Sequence, residues 1–164
     1  MLLDIRDLTV NFNTYAGTVH AVRSTSLSIQ EGEAVALVGE SGCGKSVTAQ
    51  CIMQIIPSPP GHIKEGAIFF NGENLLEKKA HDIEDIRGKN IGMIFQDPMT
   101  SLNPTMKIGT QIIEVLRRHT SLSYNEAYDK TIEILKMVKI PQPEERFHCY
   151  PYEFSGGMRQ RAMI

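Results

Sequence analysis

The segment Gly39–Ser46 has the residue types needed to hold a phosphate group. It reads Gly39-Glu40-Ser41-Gly42-Cys43-Gly44-Lys45-Ser46 and matches the pattern G-x-x-x-x-G-K-[ST]. Glycines let the backbone curl until successive N–H groups point at an anion. The pattern predicts that Lys45 reaches the β- and γ-phosphates of a nucleoside triphosphate and that the Ser46 hydroxyl binds Mg²⁺.

The segments on either side of this loop have the patterns of a strand and a helix. Ala34–Val38 is a short, wholly apolar run, which is typical of a strand covered on both faces of a parallel sheet. Lys45–Ile56 has apolar residues at helical spacing and stops at the Pro57–Gly61 cluster, which cannot continue a helix. A helix that begins at the end of the loop adds the partial positive charge of its N-terminus. This order predicts an α/β fold with a phosphate-binding loop.

The residues ahead of the loop predict a small antiparallel β layer. Leu2–Val10 and Val19–Ile29 have strand patterns and are separated by a turn. Further along, Ala67–Phe70 predicts a strand that runs into a tight turn at Asn71-Gly72. Asn90–Gln96 is another candidate for a buried strand.

After Gln96 the pattern becomes helical. Met106–His119 and Ser123–Val138 predict two helices with no strand pattern between them. The second helix opens with Ser123 and Glu126 at the spacing of a capping box. Its apolar stripe is formed by Tyr128, Ile132, Leu135 and Val138. The chain therefore predicts an α/β part followed by a helical part.

The overall composition excludes several functional classes. The net charge is −2 at pH 7, whereas general nucleic-acid binders carry a strong basic excess, so no nucleic-acid partner is expected. The three cysteines, Cys43, Cys51 and Cys149, include no C-x-x-C pair, which argues against a disulfide framework or a zinc site. The N-terminus has no signal-peptide pattern, and no run approaches the roughly 20 apolar residues of a membrane span. We therefore expect a cytosolic chain that reaches a membrane only through a partner.

A segment near residue 160 resembles the signature motif of ABC ATPases. It reads Phe154-Ser155-Gly156-Gly157-Met158-Arg159-Gln160-Arg161, where the general form begins Leu-Ser-Gly-Gly-Gln. The departures Phe154 and Met158 match the peptide and nickel import branch of the family. The resemblance implies that Ser155, Gly156 and Gly157 cap a helix N-terminus that meets the γ-phosphate of ATP held by a second subunit.

A second run, MIFQDPMTSLNP at residues 93–104, resembles the Q-loop of oligopeptide and dipeptide importers. The resemblance implies that Gln96 touches Mg²⁺ or the attacking water and reports the nucleotide state to the helical part. The phosphate loop, Gln96 and the signature follow one another at the family's spacing. The chain thus resembles the ATP-binding subunit of a peptide importer, with ATP and Mg²⁺ as cofactors and with Lys45 and Gln96 as catalytic residues. Ser46 and Gln96 are the implied Mg²⁺ contacts.

The resemblance also implies partners and a cellular location. ABC ATPases work in pairs, so we expect a second ATPase subunit, identical or different. Membrane permease subunits and, indirectly, a peptide-binding protein complete such an importer, with the ATPase peripheral at the cytoplasmic face of the cell membrane. The family stacks an aromatic side chain on adenine, and both Phe12, at the end of the first strand, and Tyr15, in the next turn, are candidates.

Two elements of the family have no counterpart in the sequence up to Ile164. These are an apolar strand ending in Asp-Glu, whose carboxylates organise Mg²⁺ and polarise water, and a later histidine at the γ-phosphate. We therefore expect a fold incomplete at its C-terminus, poorly stable alone, that binds ATP without hydrolysing it. The predicted domains are an ATP-binding α/β core with its β layer at 1–96, a helical subdomain at 97–154 and the start of the signature helix at 155–164.

Three other functions remain open from the sequence. The chain could be a non-catalytic nucleotide-binding or regulatory fragment, or part of the ATPase of a nickel or other solute importer. A soluble ABC ATPase of DNA repair or translation is a third alternative, against which the run around Gln96 and the absence of a basic excess both argue. Co-purification with permease subunits would distinguish a transporter subunit from a soluble ATPase.

Overall fold

The chain forms two units of structure, Met1–Arg87 and Gly88–Ile164. They are seen in a computed structural model that describes residues 1–97 and 101–164. Pro98, Met99 and Thr100, which belong to the run resembling the Q-loop, lie outside the described residues. The domain ranges predicted from the sequence, which divide the chain after residue 96, remain predictions.

A four-stranded antiparallel sheet organises the first unit, in the order β2-β1-β3-β4. Its strands are β1 (Leu3–Thr14), β2 (Gly17–Ile29), β3 (Gly61–Phe70) and β4 (Glu73–Asn74). The same unit contains α1 (Lys45–Ile52), a short 3₁₀ turn (Leu75–Glu77) and α2 (Ala80–Ile86). The predicted antiparallel β layer is confirmed, and β1 and β3 both extend beyond their predicted bounds.

An irregularity in β1 keeps its apolar side chains on one face of the sheet. Leu3 and Ile5 are buried, as are Leu8 and Val10, so the alternation changes phase between the two pairs. The register of β1 against β2 shifts between Ile5 and Leu8, and Asp7 has φ 47° there. An extra residue in one strand flips the side chains that follow it to the other face. The bulge therefore returns Leu8 and Val10 to the core.

The turn predicted at Asn71-Gly72 joins β3 to β4. Asn71 has φ 51° and Gly72 has φ 84°, and the flanking residues Phe70 and Glu73 pair across the turn. Two successive residues with positive φ are typical of the tight turns that suit the twist of a hairpin. The prediction from the Asn-Gly pair is confirmed.

Helix α1 ends earlier than its predicted limit at Ile56. Gln54 takes φ 50°, its N–H donates to the carbonyl of Cys51 (3.0 Å), and the N–H of Ile55 donates to the carbonyl of Gln50 (3.0 Å). These two bonds are the pattern of a Schellman helix end, with Gln54 where glycine is usual. The helix therefore stops at its own C-cap and not at the proline cluster.

Two segments predicted as buried strands are not strands in the structure. Residues 33–40, which include Ala34–Val38, have no assigned strand and are exposed, with Val38 88% exposed. The Asn90–Gln96 segment is likewise outside the described sheet, and Ile94 is 63% exposed. A strand of this kind needs hydrogen-bonded neighbours, and in residues 1–97 and 101–164 neither segment pairs with a sheet. An apolar run indicates that a segment prefers burial, but it does not supply the partner.

The second unit is helical in its described part. Its helices are α3 (Ile108–His119), α4 (Tyr124–Met137), α5 (Pro143–Arg146) and α6 (Gly156–Met163), with a 3₁₀ turn at Pro151–Glu153. One apolar cluster lies between them, formed by Ile108, Ile113, Ala127, Ile132, Leu135, Ile140, Phe147 and Phe154. The two predicted long helices are confirmed, with small differences at their ends. Across the described residues, no helix has both the length and the apolar character needed to span a bilayer.

The capping box predicted at the start of α4 is present. The Ser123 N–H donates to Glu126 Oε2 (2.8 Å), and the Glu126 N–H donates to Ser123 Oγ (3.4 Å). Hydrogen bonds from the side chain and backbone of Ser123 hold the pKa of the Glu126 carboxyl below its usual value. The predicted stripe is also confirmed, because Ile132 and Leu135 are buried while Tyr128 and Val138 pack against the same cluster.

Candidate functional site

Gly44 fixes the phosphate loop against the sheet of the first unit. It is the N-cap of α1 and has φ 89° and ψ 1°. A Cβ at this position would lie 2.4 Å from the carbonyl oxygen of Ala21 and 3.2 Å from Cγ2 of Val22. Both the left-handed backbone and the close approach to β2 therefore require glycine. The sequence pattern identifies this glycine, but not the strand it packs against.

The other two glycines of the loop have different local reasons. Gly42 has φ 81°, and an added Cβ would meet no atom within 4 Å, so only the backbone conformation favours glycine there. At Gly39 an added Cβ would lie 2.7 Å from Sγ of Cys43, which shows how tightly the loop closes on itself. The loop is thus shaped by both backbone conformation and packing.

The ammonium group of Lys45 lies within the curve of the loop. Its Nζ donates to the carbonyl oxygens of Gly39 (2.7 Å) and Glu40 (2.6 Å), and lies 3.3 Å from Sγ of Cys43. These contacts place a positive charge directly beside the loop backbone. A lysine held in this position can donate to the oxygens of an anion that enters the loop.

The first turn of α1 adds further attraction for an anion. Its early N–H groups have no partner within the helix, and no acidic residue lies in the first turn. Both the N–H and the Oγ1 of Thr48 donate to the carbonyl of Gly44 (2.8 and 3.0 Å), which holds the turn in shape. Ser46 is exposed, so its hydroxyl is accessible. The loop, Lys45 and the helix N-terminus together suit a phosphate chain.

A cleft of 330 Å³ adjoins the loop on the side of β2. It is lined by His20, Ala21, Val22, Arg23, Thr25, Gly42 and Cys43. Nδ1 of His20 lies 2.9 Å from Oδ1 of Asn11, which fixes the imidazole at the cleft. The sequence pattern of the loop does not identify His20 or Arg23, because they lie beside the loop only through the close approach of Gly44 to Ala21 and Val22 of β2.

The two candidate aromatic residues differ in their surroundings. Phe12 is half-buried, and its ring lies so close to Gly61 that a Cβ there would be 2.8 Å from Cε1. Tyr15 is fully exposed in the β1–β2 turn and lines a cleft of 630 Å³ with Asn13, Thr14, Pro59 and Pro60. Tyr15 is exposed and Phe12 is half-buried, and both remain candidates for stacking on a nucleobase.

In the second unit, Ser155 caps the helix that begins the signature segment. Its Oγ accepts a hydrogen bond from the Met158 N–H (3.3 Å), and Phe154 before it is buried in the apolar cluster. Gly156 and Gly157 are exposed, and an added Cβ would meet nothing within 4 Å at Gly156 and only Nη1 of Arg161, at 3.6 Å, at Gly157. Nothing inside this unit requires these two glycines. Their small size keeps the N-terminus of α6 open to close approach from outside.

Gln96 also belongs to the second unit, where it is exposed and lies outside regular secondary structure. The predicted site residues thus divide between the units, with the phosphate loop and both aromatic candidates in the first. Among residues 1–97 and 101–164, no group of three His, Cys, Asp or Glu side chains could hold a metal ion. Mg²⁺ in proteins is often held by one or two side chains together with phosphate oxygens and water, and the exposed Ser46 hydroxyl fits that role.

Comparison with known proteins gives consistent matches over almost the whole chain. A family model described as ABC transporter matches residues 22–164. The chain is 53% identical to the oligopeptide transport ATP-binding protein OppD of Bacillus subtilis, over 99% of this chain and 46% of that protein. It is 47% identical to the dipeptide transport ATP-binding protein DppD of the same organism, over 99% of this chain and 49% of that protein. The chain therefore spans about half the length of these curated relatives.

Solved structures agree with the chain in fold. The dimeric structure of MJ0796, a bacterial ABC transporter cassette, matches with a TM-score of 0.84 at 24% identity, covering 99% of this chain and 67% of that chain. A post-hydrolysis state of the same cassette bound to ADP and Pi also matches with a TM-score of 0.84, at 23% identity. These matches confirm the predicted fold, an α/β phosphate-loop ATPase fold with an antiparallel β layer and a helical part.

Proposed function

The chain belongs to the ABC transporter family, and we propose from that premise that residues 39–46 bind the phosphate groups of ATP. The observation that supports this most directly is the geometry of the loop. Gly44 is packed where only glycine fits, and Lys45 Nζ lies 2.7 Å and 2.6 Å from two loop carbonyls. Loop, cation and helix N-terminus converge on one small volume, as a triphosphate requires.

In this proposal each part of the loop has a separate task. The curled backbone donates N–H groups to the phosphates, and Lys45 turns from the loop carbonyls to the β- and γ-phosphate oxygens. The Ser46 hydroxyl oxygen is the proposed ligand of Mg²⁺, and Gln96 is the second proposed contact of the same ion. Mg²⁺ held there would supply positive charge that offsets the charge of the phosphates. Phe12 or Tyr15 stacks on the adenine ring.

Ser155, Gly156 and Gly157 are proposed to contact ATP bound by a second subunit. The open space around both glycines supports this, since a helix N-terminus without side-chain cover can approach an anion closely. The related cassette MJ0796 is described as dimeric. The second subunit is a copy of this chain or a related ATPase.

At the level of the whole protein, we propose the ATPase of an importer for oligopeptides or dipeptides. The names of the similar proteins from Bacillus subtilis, which describe oligopeptide and dipeptide transport, support this substrate class. The proposed partners are membrane permease subunits and, indirectly, a peptide-binding protein. The subunit would act peripherally at the cytoplasmic face of the membrane. Uptake of nickel or another solute is the alternative.

The test of the nucleotide site is a binding titration of the natural protein with Mg-ATP. Lys45→Ala removes the cation within the loop and is expected to weaken binding by about tenfold or more, because a hydrogen bond to a charged group is lost. Lys64→Ala, which removes an exposed lysine from β3, is the matched control and leaves the dissociation constant unchanged. Equal affinities for the Lys45→Ala variant and the unmodified protein would contradict the proposal.

For residues 1–164 expressed alone, we propose ATP binding without steady-state hydrolysis. The carboxylate pair that would organise Mg²⁺ and polarise water does not occur in this sequence. Phosphate release by this polypeptide should equal that of its Lys45→Ala variant. Turnover clearly above that control would show that other residues supply the missing chemistry.

A further inference from the structure

The C-terminal end of α1 is held by a residue far from it in sequence. The guanidinium of Arg87 donates from Nε to the carbonyl of Met53 (2.7 Å) and from Nη2 to the carbonyl of Gln54 (2.8 Å). Carbonyls at the end of a helix have no partner within the helix, and the negative end of the helix dipole attracts a cation. Arg87 therefore provides both the hydrogen bonds and the charge that this helix end requires.

A second contact fixes the same helix end. Gln54 has φ 50°, and its side-chain Nε2 donates to the carbonyl of Leu75. Arg87 and Gln54 are both half-buried, so these hydrogen bonds are partly shielded from water. Two parallel donors on a planar guanidinium fix direction as well as distance, which a single ammonium donor does not.

Helix α1 joins this anchored end to the phosphate loop. It has eight residues, about 12 Å at the rise of an α-helix, with Lys45 and Ser46 at the opposite end. A short helix moves as a rigid rod, so fixing one end limits how the other end can tilt. The orientation of Lys45 and Ser46 therefore depends on the hydrogen bonds of Arg87.

Arg87 is also the last residue of the first unit. Gly88 follows with φ 80°, and the chain continues through residues 88–97, here called the connector, which contain Gln96. A displacement of α1 that moves Met53 and Gln54 would move Arg87 and the start of the connector with them. The phosphate loop is thus joined to the connector by helix α1, by the hydrogen bonds of Arg87 to the end of α1, and by the chain from Arg87 to Gly88.

We propose that Arg87 is a positioning residue of the nucleotide site: by holding the end of α1, it orients Lys45 and Ser46 and ties the connector to the state of the loop. This inference rests on the proposed binding of ATP at residues 39–46. Arg87 touches neither the loop nor the phosphates. It acts through α1.

The test is hydrogen exchange of the natural protein with and without a non-hydrolysable ATP analogue and Mg²⁺. In the unmodified protein, nucleotide should slow exchange in residues 39–46, at 51–56 and at the start of the connector. Arg87→Lys keeps the charge but loses the paired donors, and Arg87→Gln loses the charge. In both variants the slowing at the connector should be lost. The dissociation constant of the analogue should rise by about fivefold to tenfold, less than for loss of a direct charged hydrogen bond, because Arg87 acts through α1.

Lys89→Gln is the matched control, because it removes an exposed positive charge from the connector itself. It should keep both the affinity and the exchange pattern of the unmodified protein. A role in stability alone would lower the melting temperature of the Arg87 variants but leave affinity and the connector response intact, and that result would overturn the inference. If Arg87→Gln does not fold, the affinity and connector response of Arg87→Lys distinguish a positioning role from a role in stability alone. Absence of any nucleotide effect at 39–46 in the unmodified protein would instead overturn the proposed nucleotide site.

Discussion

At the scale of single residues, the loop shows that two neighbouring glycines can be required for different physical reasons. Gly42 and Gly44 both have positive φ, at 81° and 89°. Only Gly44 also lies against another strand, with the Ala21 carbonyl where a Cβ would be. The sequence pattern specifies glycine at position 44 and leaves position 42 open, whereas the structure gives both residues a positive φ and crowds only Gly44.

This difference predicts unequal effects of two alanine substitutions. Gly42→Ala should lower the free energy of unfolding by roughly 1–2 kcal/mol, the cost of the left-handed backbone. Gly44→Ala should lower it by about 2–5 kcal/mol, because a contact at 2.4 Å with backbone adds overpacking to the same backbone cost. Urea unfolding of both variants measures this. Equal losses would show that the loop moves away from β2 without cost.

Cys51 gives a prediction about pH. It is fully buried on α1, and burial raises the pKa of its thiol from 9.0 to about 11. Because the folded protein keeps this proton to higher pH than the unfolded chain, the free energy of unfolding should fall as pH rises from 9 toward 11. Denaturant unfolding on either side of pH 9 checks this, with Cys51→Ala as the variant in which this part of the decline disappears.

At the scale of elements, local sequence patterns predicted most of the long helices and the tight turn. They did not predict where one element lies close to another. The start of α3 shows this. The N–H of Gly109 donates to the carbonyl of Phe147 (3.0 Å), and an added Cβ would lie 2.1 Å from Cδ2 of the Phe147 ring. Phe147 belongs to the apolar cluster of the second unit, so the ring has little room to move.

Gly109→Ala should therefore destabilise the second unit, although replacing glycine by alanine inside a helix normally stabilises it by about 1 kcal/mol. Overpacking costs about 1–3 kcal/mol, and a contact at 2.1 Å with a buried ring places the cost near the upper end of that range, which outweighs the gain. Thr110→Ala, at the exposed neighbouring position, should be neutral or slightly stabilising. Thermal unfolding of the two variants decides the sign. A more stable Gly109→Ala protein would mean that Phe147 moves aside freely.

At the scale of the whole molecule, the described chain exposes two apolar segments that do not pair with its sheet. Leu37 is 46% and Phe95 is 41% exposed, close to the phosphate loop and to Gln96 in sequence. Exposed apolar side chains and unpaired backbone N–H and C=O groups both favour association with other chains. The curated relatives are about twice as long as this chain, and a protein of their length would have further residues that could cover such segments.

Residues 1–164 expressed alone should consequently bind a hydrophobic dye and scatter light as concentration rises. Replacing Leu37 and Val38 together by threonine and lysine should reduce both signals, because polar side chains weaken association between apolar strands. In a longer natural protein, the same double substitution should lower stability if the segment becomes a covered strand. An unchanged scattering signal in the short polypeptide would show that association uses another surface.

The sequence by itself determined the features that depend on near neighbours along the chain. These include the left-handed glycines of the loop at residues 39–46, the Asn71-Gly72 turn, the capping box of α4 and the apolar stripe of that helix. Each arises from the conformational preference or hydrogen bonding of residues a few positions apart. The family was also recognisable, because the loop and the signature segment are short continuous patterns.

Only the tertiary structure decided the features that depend on residues far apart. Ala34–Val38 has the pattern of a buried strand, but burial requires partners that the pattern does not contain. Gly44 needs the backbone of Ala21, and the end of α1 needs Arg87, and neither partner could be found from local spacing. Backbone groups can find their hydrogen-bond and packing partners anywhere that the fold brings residues together. The loop can therefore be recognised in the sequence, whereas the residues that hold it in place cannot.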